Sequence, residues 1–185
     1  RIWEWTFNEN ITIDKSINII GNGTTNSTIK GLDDGSVITV TANYVNLSHF
    51  RIINGSIGIK VTSDNNHFHN LSIEDLEGIK GEKATGWEDS GESGGTSCGF
   101  YLYNSRNNVI VNNQIDNLTG GKGGEPKSDY GTHGAGGLSC GFYFDNSGNN
   151  TIQSNPLSNL TGGVGGHGDS SASYYNTGSP GTGGV

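Results

Sequence analysis

The sequence predicts an all-β fold, a right-handed parallel β-helix (β-solenoid) with coils of about 21 residues and long Gly-rich loops inserted along one edge. Three observations lead there. Apolar residues recur in ladders: Ile52, Ile73, Ile115 and Leu157 lie at steps of 21, 42 and 42 residues, and Leu47, Phe68, Ile110 and Ile152 at the same steps. A strand-like phrase repeats, Cys98-Gly99-Phe100-Tyr101-Leu102-Tyr103-Asn104-Ser105 returning as Cys140-Gly141-Phe142-Tyr143-Phe144-Asp145-Asn146-Ser147. Only 30% of the 185 residues are hydrophobic and 32 are glycine, thin provision for a layered core but sufficient for a solenoid, whose coils each need few inward side chains. Disorder would also suit low hydrophobicity, but the regular β-branched residues bounded by Asn and Gly turns argue against it.

Along the chain, Trp3, Trp5 and Phe7 alternate onto one face, fitting a capping strand or an ordinary first coil within residues 1–20. Alternation then puts Phe68 inward and His67 and His69 outward. In the repeated phrase Cys, Phe and Leu or Phe point inward, leaving Tyr101, Tyr103 and Tyr143 outside. Asn104 and Asn146 follow at a corner, where stacked amides bond turn backbone and one another. Cys98 and Cys140 fall on neighbouring coils with parallel Cβ vectors that suit a disulfide poorly, so buried thiols packing as small hydrophobes are expected.

The 42-residue steps read as one coil plus an inserted loop. The loops, about 78–97, 120–139 and 162–185, are rich in Gly, Ser, Asp and Glu and lack strand alternation. They leave after Leu76, Leu118 and Leu160, so they are expected to gather as a ridge, and their glycine runs suit polyproline-II-like packing. Residues 181–185 repeat 134–138, which lead into the second Ser-Cys-Gly-Phe strand. A single domain over 1–185, continued by further chain or by another subunit, is the expectation.

Eighteen acidic against ten basic residues give a net charge of -8 with no basic run, which removes the electrostatic source of nucleic-acid binding. No apolar run approaches the roughly 18 residues of a spanning helix, so direct membrane insertion is not expected. Nine N-x-S/T sequons, at Asn10, Asn22, Asn26, Asn46, Asn54, Asn70, Asn117, Asn149 and Asn159, suggest an extracellular or cell-surface glycoprotein, although Asn and Thr also suit β-turns.

The phrases at 99–108 and 107–115, their copies at 141–157, and the opening segments 10–21 and 37–54 resemble the NosD-type, or CASH-domain, right-handed β-helix repeats of archaeal and bacterial surface proteins. The resemblance covers nearly the whole chain outside the loops. It implies the fold, but its members include surface-layer proteins, adhesins, polysaccharide lyases and hydrolases, and a copper-enzyme maturation protein, so function has to be argued from a site.

Aromatic side chains in the loops, Trp87, Tyr130, Tyr174 and Tyr175, together with Tyr101, Tyr103 and Tyr143 on the coils, suit contact with sugar rings or with a neighbouring protein. Glu88, Asp89, Glu92, Asp129 and Asp169 are weak calcium candidates, since their spacing matches no calcium motif; no other cofactor is expected. His67 and His69 read most simply as solvent-facing. Asp64, Glu74, Asp75 and Asp116, with Lys60 and Arg106 nearby, read as a charged, solvated face, and no catalytic residue is assigned.

The expected function is an extracellular structural or adhesive surface protein, part of a filament, sheath or surface layer, self-associating by coil stacking and Gly-rich loop contacts. The alternatives are a glycan-binding module on cell-surface polysaccharide, or a fragment of a polysaccharide lyase or hydrolase. An enzyme is not the expectation, and a polysaccharide-active one is the minority reading.

Overall fold

The computed structural model describes residues 5–32, 35–86, 89–127 and 131–166. Its strands follow one another three to a coil. The first coil carries β1 (Trp5–Asn8), β2 (Ile11–Ile13) and β3 (Asn18–Ile20), the second β4 (Ser27–Lys30), β5 (Ser36–Val40) and β6 (Asn46–Ser48). The third carries β7 (Arg51–Ile53), β8 (Ile57–Val61) and β9 (His67–His69), the fourth β10 (Ser72–Glu77), β11 (Ser97–Tyr103) and β12 (Val109–Val111). Then come β13 (Gln114–Thr119), β14 (Ser139–Asp145), β15 (Thr151–Gln153) and β16 (Leu157–Thr161). Every third strand is a neighbour, giving three parallel sheets: β1-β4-β7-β10-β13-β16, β2-β5-β8-β11-β14 and β3-β6-β9-β12-β15. This is a parallel β-helix. Among the described residues no helix is long and apolar enough to cross a membrane.

The register is the one the apolar ladders predict. Ile52 pairs with Ile73, Leu47 with Phe68, and Ile110 with both Phe68 and Ile152. The first turn of the helix departs from the regular period, pairing Ile11 with Ile38 and Asn18 with Asn46, because extra residues enter the turns after β3 and β4. β8 pairs directly with β11 and β9 with β12, and β11 in turn neighbours β14 and β12 pairs with β15, so the segments between β10 and β11 and between β13 and β14 are inserted loops and add no coil.

The contacts divide the chain into two compact units. The first comprises Arg1–Leu76, Cys98–Asn117 and Gly141–Asn159. Its interior holds Ile29, Leu47, Phe50, Ile52, Phe68, Ile73, Phe100 and Leu102, all fully buried. Each such side chain stabilises by about 1.5–3 kcal/mol relative to an exposed one. Phe100 stacks on Phe142 and tilts by 56° against Phe68, its ring centroid 5.7 Å from both. The thiol of Cys98 donates to the Phe100 carbonyl at 3.1 Å; Cys140, which falls in the second unit, is also buried.

Corners of this unit depend on asparagine. Positive φ recurs in columns: Tyr44, Asn65, Asn107 and Asn149; His49, Asn70, Asn112 and Ser154; Asn54, Asp75, Asn117 and Asn159. Left-handed backbone costs an ordinary L-residue about 1–2 kcal/mol, and Asn and Asp tolerate it best. Two internal amide ladders complete the turns. Asn108 Oδ1 accepts the Asn66 amide N–H and Asn150 Oδ1 that of Asn108, both at 2.9 Å. Asn113 Oδ1 accepts from Leu71 at 3.0 Å, and Asn155 Oδ1 from Asn113 at 2.9 Å. Buried turn backbone is thereby satisfied without water.

The second unit comprises Glu77–Ser97, Leu118–Cys140 and Leu160–Val185. Its backbone donors recur every third residue. Gly78, Gly81 and Ala84 donate to the carbonyls of Thr119, Lys122 and Glu125, and Gly91, Gly94 and Ser97 to those of Thr132, Ala135 and Leu138. A second set runs in the opposite sense, with Gly95 donating to Ile79, Gly121 to Gly95, Gly137 to Gly121 and Gly163 to Gly137 at 2.7–2.9 Å. Three residues per turn is the period of polyproline II, which has no internal hydrogen bonds and takes them here from its neighbours. Parallel and antiparallel segments thus form a bundle. A Cβ at Gly121 would lie against the Ile79 carbonyl oxygen, and one at Gly124 against that of Glu82, so glycine is required by backbone proximity.

Candidate functional site

Parallel register on the second sheet brings a small polar and aromatic cluster to its outer face. Lys60 pairs with Tyr101, placing the Lys60 ammonium 5.7 Å from the Tyr101 ring centroid. Tyr143 meets Tyr101 edge to face at 5.4 Å, and Tyr103 lies 6.4 Å from it, tilted by 48°. The Tyr101 hydroxyl donates to the Asp145 carboxylate at 3.3 Å. Burial, then the Asp145 charge and this bond, push the Tyr101 phenol above its ordinary 10.0, so it stays a neutral donor. Tyr103 and Tyr143 are exposed. Three rings, a cation and a carboxylate can meet a ligand with both apolar faces and hydroxyl edges.

An open depression of about 410 Å³ is lined by Arg106, Phe144, Asn146, Ser147, Gly148 and Asn149. The Asn146 amide donates to Asn104 Oδ1 at 2.6 Å, realising the corner stack expected from the repeat.

Of the loop aromatics, Trp87, Tyr130, Tyr174 and Tyr175 lie outside the described residues, as do Glu88, Asp129 and Asp169. Asp89 accepts the Gly86 amide at 3.0 Å, and Glu92 is exposed with its backbone inside the bundle. Among the described residues no three His, Cys, Asp or Glu side chains form a metal-holding group.

The coil carboxylates are engaged locally. Asp64 accepts the Arg106 amide N–H at 2.7 Å, and Asp75 accepts from Asn117 Nδ2 at 2.7 Å and pairs with Arg51 at 3.3 Å. Glu74 pairs with Arg51 and accepts from the Ser72 hydroxyl at 3.0 Å. Hydrogen bonds from Ser158 and Asn159, both at 2.8 Å, hold Asp116 below its ordinary carboxylate value, the opposite direction from that of a general acid.

The sequon asparagines divide by structure. Asn54, Asn70, Asn117, Asn149 and Asn159 occupy positive-φ corners, which gives their residue type a backbone reason. Asn10 accepts the Leu32 amide, Asn54 donates to the Gly31 carbonyl, and Asn26 to that of Asn22. Asn22 and Asn149 are exposed, and Asn46 is half-buried with its Oδ1 enclosed.

A third cluster includes a residue that sequence reading left out. His67 is exposed and His69 half-buried, their ring centroids 4.6 Å apart, and His49 joins them with its centroid 5.5 Å from that of His69. Asn70 Nδ2 lies 3.4 Å from His49 Nε2 and 3.1 Å from His69 Nδ1. Burial, then the neighbouring His67 and His49, push His69 below its ordinary 6.5. The available signal was the 21-residue step that sets Asn70 over His49 at a shared corner.

Compared with protein-family models, curated proteins and solved structures, the chain matches none.

Proposed function

We propose that this chain is a structural or adhesive element of an extracellular layer, sheath or filament, whose copies associate by stacking coil on coil. The observation that carries the reading is the fate of the core ladders at the last coil. Leu102 and Ile110 are fully buried, whereas the next rungs, Phe144 and Ile152, are 45% and 38% exposed. At the opposite edge Phe7, paired with the fully buried Ile29, is 37% exposed and Trp5 is 71% exposed. Strands β14, β15 and β16 at one edge and β1, β2 and β3 at the other also leave ladder groups open among the described residues. A further coil in register covers both kinds of surface, whether more of the same polypeptide or a second copy supplies it, and the proposal assigns it to a second copy. Such a head-to-tail contact does not close on itself, and it generates filaments.

The likeness of the coil phrases to NosD-type surface repeats and the excess of sequons support an extracellular place. The test compares the wild-type chain with Phe144→Lys by multi-angle light scattering across a concentration series. The proposal expects concentration-dependent growth in the wild type and its loss in the variant, with unchanged circular dichroism. A wild-type chain that stays monomeric at every concentration overturns it.

A second reading has its own observation: the Tyr101, Tyr103 and Tyr143 cluster, with Lys60 and Asp145 beside it, fits a glycan-binding module. Glycan-array binding lost in Tyr143→Ala supports that reading, and an unreactive array removes it.

A further inference from the structure

We infer that His49, His69 and Asn70 form a binding site for a divalent transition-metal ion of the zinc class, clamping the second coil to the third. This inference stands independently of the assembly reading. The key geometry is convergence: His49 Nε2 and His69 Nδ1, from different coils, both aim at the terminal amide atom of Asn70, at 3.4 and 3.1 Å. Ligand atoms on a tetrahedral zinc with bonds of about 2.0–2.1 Å lie about 3.3–3.4 Å apart, so the 3.4 Å edge already has the required length and the 3.1 Å edge has only to open slightly. Two imidazoles sharing such an ion place their ring centroids about 5 Å apart. The observed separation of His49 and His69 is 5.5 Å.

The Asn70 NH₂ group lies within hydrogen-bond distance of both ring nitrogens and donates to each in the tautomer that leaves that nitrogen bare. The oxygen and nitrogen of an Asn amide are interchanged by a half-turn about its last torsion. That turn brings Oδ1 to the same corner and completes a set of two imidazole nitrogens and one amide oxygen, with the fourth position left for water. Imidazole favours zinc, copper and nickel over calcium and magnesium, which prefer all-oxygen sites. His67 sits against His69 but does not share the Asn70 contact, so it is placed outside the ligand set.

The backbone frames this arrangement. His49 and Asn70 occupy the same left-handed corner column, with φ of 60° and 52°, and the His49 amide donates to the Asn70 carbonyl at 3.1 Å. The corner therefore fixes where both side chains start, and the ion needs only side-chain rotation.

The test is isothermal titration of the whole chain with Zn²⁺ at pH 7.5. The inference expects one ion per chain, at least a tenfold loss of affinity in His49→Ala and in His69→Ala, and less than a threefold change in His67→Ala. Asn70→Asp exchanges the amide for a carboxylate at a left-handed position, a conformation that Asp75 already adopts at another corner with φ 55°, and at least a tenfold tightening is expected, a gain that misfolding cannot mimic. Cu²⁺ bound to the wild type is expected to show hyperfine coupling to two imidazole nitrogens in its electron paramagnetic resonance spectrum. Absence of Zn²⁺ binding in the wild type, binding that survives in the His49→Ala, His69→Ala double variant, or unchanged affinity in Asn70→Asp overturns the inference.

Discussion

Replacing Gly124 by alanine adds one methyl group where the bundle has no room for it. The new Cβ would fall against the Glu82 carbonyl oxygen, 2.7 Å from the Glu82 carbonyl carbon and 2.9 Å from the Glu92 amide nitrogen. Those atoms are backbone, so no side chain can swing aside. Overpacking of this kind costs about 1–3 kcal/mol. Displacing Gly124 also breaks its 2.7 Å hydrogen bond to the Glu92 carbonyl, leaving a buried donor unmatched at about 1–3 kcal/mol more. The combined expectation is a loss of about 2–6 kcal/mol, which for a chain of this size lowers the melting midpoint by roughly 2–4 °C per kcal/mol. Gly148→Ala is the control, because its added Cβ meets nothing within 4 Å. Thermal unfolding followed by circular dichroism, with hydrogen exchange of the Gly120, Gly121 and Gly134 amides, reads both variants. If Gly124→Ala melts with the Gly148→Ala control and its amides stay protected, the close-packed glycine bundle is wrong.

Other perturbations separate the remaining parts of the account. Asn108→Leu deprives the Asn66 amide of its acceptor and removes the bonds to Ser105 and Ser63, so about 2–4 kcal/mol should be lost in urea unfolding. Leu102→Ala empties a fully buried position and should cost about 2–5 kcal/mol in the same assay, whereas Phe144→Ala, one rung further, should cost less in the isolated chain. Because His69 is depressed below 6.5 in the folded state, its contribution to stability is present above that pH and is lost as the pH falls through the folded value. Melting midpoints measured from pH 8 to 4 should show this decline, and His69→Gln should flatten it. Asp116 follows the same sign below 3.8, its support vanishing as acid protonates it, and Asp116→Asn should remove that step.

The ladders were legible because parallel coils repeat a strand's alternation at a fixed interval, so Ile52, Ile73, Ile115 and Leu157 had only one simple alignment. The loops were legible in composition but not in detail. Glycine counts suggest close backbone approach, whereas the pairing of Gly121 with Gly95 depends on how far each segment runs before it turns back. The long first turn was hidden because β3 and β4 are separated by residues that carry no repeat. At the candidate sites, alternation correctly put Tyr101, Tyr103 and Tyr143 outside, but Lys60 and Asp145 joined them through inter-coil register and side-chain reach. His49 escaped notice because its role comes from a left-handed corner and not from strand periodicity.

Coil-on-coil association is the central claim, and electron cryomicroscopy of the concentrated wild-type chain tests it most directly. The account predicts filaments in which the spacing of about 4.8 Å between strands runs unbroken across subunit boundaries, with Phe144 and Ile152 of one copy covered by the first coil of the next. Isolated particles, or assemblies joined through other surfaces with Phe144 still facing solvent, would contradict it.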